Sequence, residues 1–188
     1  MPRLFILLAA LPIVAAFVIR WWLGLRVLAS GGLRQCSGNL ARWEETFGPT
    51  NLPPSENADA RIFAAHLRAA ALADWKTRDP KAAASREGAR RFGMAVPPLS
   101  LMVAILAIVV GKIPITGAIA VFLLAIAFSV IISYLSIAPE LNAILITSRR
   151  LRDRGIFHRR DDEDAVIESA AALAWKDAAP PVFNLIQR

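Results

Sequence analysis

Two apolar runs, MAVPPLSLMVAILAIVVG (94–111) and ITGAIAVFLLAIAFSVIISYLSIA (115–138), are separated only by Lys112, Ile113 and Pro114. As helices, each would be long enough to cross a bilayer core of about 30 Å. So short a connection makes them an antiparallel hairpin. A third run, LFILLAALPIVAAFVI (4–19), holds sixteen uncharged residues and is closed by Arg20, Trp21 and Trp22. It is short for a span of about 20 residues, but tryptophans suit the membrane–water interface and extend it. Pro12, near its middle, marks a kink position. No alternating apolar–polar pattern of useful length appears anywhere in the 188 residues, 56% of them hydrophobic. The expected fold is an all-α membrane protein: an N-terminal anchor helix, a cytoplasmic helical region, a transmembrane helical hairpin and cytoplasmic C-terminal helices. The corresponding segments are 1–22, 23–93, 94–138 and 139–188.

The basic residues set the expected orientation. Arg86, Arg90 and Arg91 precede the 94–111 run, and Arg149, Arg150, Arg152 and Arg154 follow the 115–138 run, whereas the hairpin turn carries only Lys112. The positive-inside rule then puts 20–93 and 139–188 on the cytoplasmic side of a cell inner membrane. Arg20, Arg26 and Arg34 behind the 4–19 run outnumber Arg3 before it, which agrees. A rival reading treats residues 1–16 as a cleaved signal peptide ending at Val14-Ala15-Ala16, which would export 20–93. The net charge of +7 fits topology and anionic headgroups, so membrane lipid rather than nucleic acid is the expected partner.

Between the spans, residues 31–60 read as loop with some helix, and Asn57 or Asp59 would cap a helix over about 58–77. On that helix His66 falls opposite Arg68 and points inward among alanines. A further helix leaves the membrane over 133–155; Pro139 bends or restarts it and Gly155 stops it. RRDDED (159–164) reads as a charged loop, and 166–178 as a short amphipathic helix. PVFNLI (181–186) would lie in the interface.

The chemistry available is narrow. The single cysteine, Cys36, rules out an intrachain disulfide framework and a CxxC zinc site. With only His66 and His158, a histidine-rich ligand set is ruled out too. His158 lies among arginines and reads as solvated. No phosphate loop, nucleotide fingerprint or nucleophile elbow is present. One stretch, FAAHLRAAALADW (63–75), nearly spells the HExxH zinc-protease signature: glutamate at 67 and histidine at 70 would complete it.

The stretch APELNAILITSRRLRDRGIF, the acidic loop after it and AVIESAAALAW resemble the end of the YugP-type membrane zinc metallopeptidases. That family also carries an HExxH helix between an N-terminal span and a membrane hairpin, where AAHLRAA falls here. The resemblance implies that His66 matches the first zinc ligand and Glu140, in PELNA, the third. Leu67 stands in place of the catalytic glutamate and Ala70 in place of the second histidine. Asn142 and Ala143 match the family's stretch, and Ile144 departs from its serine. Catalytic zinc needs three protein ligands and an open position, and a general base contributes about 10²–10⁴ in rate. Leucine and alanine supply neither a base nor a ligand.

The expectation is therefore a catalytically inactive, pseudoenzyme member that binds no cofactor and acts as a scaffold or binding subunit for a protein partner or an active paralogue. The small side chains of 58–77 would leave room for that partner. Two alternatives stand beside it. One is a divergent zinc peptidase built from His66, Glu140 and a further carboxylate such as Asp74 or Glu87. The other is an unrelated small subunit of a membrane complex.

Overall fold

The computed structural model describes residues 2–111 and 113–179, with side chains from residue 6 onward; PVFNLI and Lys112 lie outside the described residues. About 82% of the described residues are helical, in line with the all-α expectation. Three helical stretches, Ile6–Ser30, Pro80–Val109 and Ile115–Asp153, contain segments long and apolar enough to cross a membrane.

Helix α1 (Pro2–Ile19) runs through a π-helical turn (Arg20–Leu25) into a short α2 (Arg26–Ser30), so the helix does not stop at Arg20. Next come a three-residue strand β1 (Gln35–Ser37), α3 (Leu40–Phe47), a 3₁₀ turn (Pro49–Asn51) and β2 (Asn57–Asp59). Helices α4 (Ala60–Arg78), α5 (Pro80–Val109), α6 (Ile115–Leu135), α7 (Ala138–Asp153) and α8 (Arg160–Ala178) complete the order. The two strands are antiparallel, with Cys36 opposite Ala58. At three residues each they are too short to leave a period-two signature.

Several boundaries differ from the apolar pattern for local reasons. Helix α5 begins at Pro80, well before the apolar run at Met94, because Asp79 Oδ1 accepts the Ala82 amide at 3.0 Å and Pro80 occupies the first helical position. Helix α8 begins at Arg160, so Asp161, Asp162 and Glu163 form its first turn rather than a loop, where they meet the positive end of the helix dipole. The break between α6 and α7 falls at Ser136–Ile137, and α7 restarts with Pro139 in its first turn. Gly155, at φ +55°, takes the left-handed conformation just past the end of α7. Asp59 does precede α4, but its side chain caps no amide. It accepts Gln35 Nε2 at 2.5 Å and pairs with Arg61 at 3.0 Å.

The chain divides into two compact units. The first holds the described residues up to Arg20, those of Ser85–Ser136, and Ala178 and Ala179. In it α1 packs on α6 through Ala16, Ile126 and Val130, flanked by Ile13, Phe17 and Phe122. Tyr134 Oη donates to the Ala16 carbonyl at 3.1 Å. Helix α5 crosses α6 at Gly93, whose carbonyl accepts Ser129 Oγ at 3.1 Å. A Cβ there would stand 2.7 Å from Ser133 Oγ, so any larger residue at this crossing would have to displace that hydroxyl. Arg86, 9% exposed, donates to the Ser133 carbonyl at 3.1 Å and to Ser136 Oγ at 2.8 Å, satisfying the C-terminal end of α6. Large apolar side chains such as Leu99, Met102, Ile115, Phe128 and Leu135 are exposed, as a lipid-facing surface would be.

The second unit comprises Trp21–Ala84 and Ile137–Asp177. Its core is aromatic where α3, α4 and the Phe157 segment meet. Trp43 lies 5.0 Å from Phe47, 5.6 Å from Phe63 and 6.4 Å from Phe157, ring to ring. The Trp43 indole is fully buried and donates its N–H to the Asn51 carbonyl at 2.7 Å, so this tryptophan is a core residue. Trp75 of α4 packs with Ala83 and with Ala143 of α7.

Candidate functional site

The face of α4 that meets the core carries Ala60, Phe63, Ala64, Leu67, Ala70, Ala71 and Trp75. This three-and-four spacing makes one buried stripe, with Leu67 near its middle. Leu67 is 0% exposed and Ala70 6%. The two positions where the metallopeptidase pattern would carry a base and a ligand are thus packing positions. His66 and Arg68 flank the stripe from opposite sides, about 200° apart around the axis. His66 is half-buried rather than enclosed, and it makes no hydrogen bond or ion pair with another described residue.

Arg68, not His66, meets Glu140. Its Nε and Nη2 donate to Glu140 Oε1 at 2.8 and 2.6 Å, and its Nη1 donates to Asp177 Oδ2 at 2.5 Å and to the Leu173 carbonyl at 3.4 Å. Glu140 is 3% exposed, in the first turn of α7. One guanidinium thereby ties α4, α7 and α8 together. Burial alone would lower the Arg68 pKa; Glu140 and Asp177 outweigh it, and the net shift is upward. The cation is therefore permanent, and it takes up Glu140 Oε1 with two donors.

The remaining candidates are dispersed. Asp74 pairs with Arg78 at 3.0 Å and Arg150 at 3.5 Å; Glu87 pairs with Arg91 at 3.1 Å. His158 is exposed and borders a groove of about 490 Å³ with Cys36, Asn57, Arg159 and Asp162. Cys36 is buried, and burial, reinforced by Asp162, pushes its thiol up to about 11. That leaves it protonated and unreactive at neutral pH. Asp162 is held by Arg34 at 3.0 Å. Burial raises the Glu163 carboxyl. Among the described residues, no three His, Cys, Asp or Glu side chains group to hold a metal ion.

The sequence reading missed Arg68 and Asp177 as site residues. The signal was present: an arginine on an alanine-rich helix, and a carboxylate near the end of α8.

No family model matches the chain, and no curated protein or solved structure matches it.

Proposed function

We propose that this chain is a multi-pass inner-membrane protein with a metallopeptidase-like layout and no peptidase chemistry, acting as a binding or scaffold subunit. In this reading residues 20–93 and 139–188 face the cytoplasm, and the partner is a membrane protein, either an active paralogue or a protein such an enzyme would cut. The observation that carries it is the use made of α4 and α7. Leu67 and Ala70 serve the core, and Glu140 serves Arg68. A carboxylate in a short, doubly donated contact with a guanidinium is a poor zinc ligand, because ligation would break both contacts and leave the buried cation only the partly exposed Asp177. The divergent-peptidase alternative would have to release Glu140 from Arg68, and Asp74 from Arg78 and Arg150.

Extraction from native membranes in mild detergent, followed by native electrophoresis and mass spectrometry, tests the proposal. The expected result is a complex with a second membrane protein in fixed stoichiometry. A chain that migrates alone and hydrolyses peptides in a chelator-sensitive manner would overturn it.

A further inference from the structure

The π-helical turn after α1 is fixed in rotation by Gly24. A Cβ at Gly24 would lie 3.2 Å from the Lys176 nitrogen and 3.3 Å from its Cα, so the turn seats directly on the backbone of α8. With Gly24 inward, Trp21 and Trp22 are each 57% exposed and Leu23 39%. One turn on, the Arg26 guanidinium lies 4.3 Å from the centroid of the Trp22 ring. Arg26 is exposed and forms no ion pair among the described residues. In sequence, the uncharged run 4–19 ends two residues before Trp21. The features coincide: a π turn, a form that recurs at functional sites; tryptophans where an apolar run meets water; and a cation held by its ring partner with its outer N–H groups free to bind an anion.

We propose that Trp22 and Arg26, with Trp21 beside them, form a binding site for the phosphate headgroup of an anionic phospholipid. Trp22 holds the guanidinium over its ring, and the guanidinium's outward donors reach the phosphate oxygens. Trp21 and Leu23 enter the apolar margin beneath the headgroup. The apolar rim and the continuity with the preceding run favour a lipid over a soluble phosphate, and the basic charge favours an anionic lipid over a zwitterionic one.

The test is native mass spectrometry of the full chain in detergent, titrated with phosphatidylglycerol and, separately, with phosphatidylcholine. Phosphatidylglycerol should bind more tightly, and Arg26→Gln should weaken the first binding event about fivefold, the usual share of one arginine at an anionic surface. Trp22→Ala should reproduce the loss, whereas Trp22→Phe, which keeps a ring under the guanidinium, should bind like the parent. Arg159→Gln, an exposed arginine elsewhere in the same unit, should change nothing. Equal weakening by Arg159→Gln would reduce the effect to overall charge and overturn the site. So would unchanged binding in Arg26→Gln, or displacement of the lipid by millimolar inorganic phosphate. Cross-linking of Trp22→Cys chains to one another in phosphatidylglycerol membranes would reassign the surface to a second copy.

Discussion

Removing Arg68 tests the junction of α4, α7 and α8 most severely. The side chain is 14% exposed and its main partner 4%, so both charges have left water. Breaking such a pair from one side costs about 3–5 kcal/mol, because the surviving charge stays buried. Arg68→Met removes both donors from Glu140 Oε1 and should fall in that range. Glu140→Gln should fall at its lower end, since Asp177 still neutralises the guanidinium. Asp177→Asn should cost less than about 1 kcal/mol, because that carboxylate is 44% exposed. The double variant Arg68→Met/Glu140→Leu removes both charges together and should recover to within about 1 kcal/mol of the parent. At roughly 2–4 °C per kcal/mol for a chain of this size, Arg68→Met should lower Tm by about 6–20 °C. Tryptophan fluorescence during thermal unfolding in detergent measures each variant. If Asp177→Asn is as damaging as Arg68→Met, or the double variant is no better than the single ones, Arg68 and Glu140 are not the buried pair described.

Gly93→Val should destabilise the α5–α6 crossing by about 1–3 kcal/mol, read as a lower Tm, because its Cβ has no room beside Ser133 Oγ. Cys36 should resist maleimide at pH 8 in the folded chain and react at once after denaturation, followed by mass shift; its thiol rises from 9.0 to about 11. Folding favours the protonated thiol, so that contribution holds below about pH 9 and fades as the pH climbs toward 11. Leu67→Glu with Ala70→His, which completes the HExxH spelling, should not create a zinc site. Leu67 is 0% exposed, and the chain should lose stability by several kcal/mol instead, visible by circular dichroism and metal analysis.

The three long apolar helices were legible because uncharged apolar runs of sixteen residues or more admit few other folds, and the α6–α7 break because Pro139 punctuates it. Helix starts set by single polar contacts were harder. Asp79 and Pro80 open α5 fourteen residues before its apolar part begins, as 94 minus 80 gives, and hydropathy cannot register a cap. The strand pair around Cys36 and Ala58 was illegible at three residues a side. On α4 the periodicity was readable, yet the attraction of a near-motif put weight on His66. Counting the stripe through Phe63, Leu67 and Ala71 places His66 on a flank and Arg68 on the other. Which carboxylates Arg68 would find depends on α7 and α8 returning beside α4, a tertiary fact with no local signature.

The most direct measurement is the zinc content of the intact chain, purified from metal-replete membranes without chelators, alongside His66→Ala. A scaffold whose α4 positions serve packing should hold far less than one zinc per chain, unchanged by the substitution. One tightly held zinc per chain, lost in His66→Ala, would contradict the account.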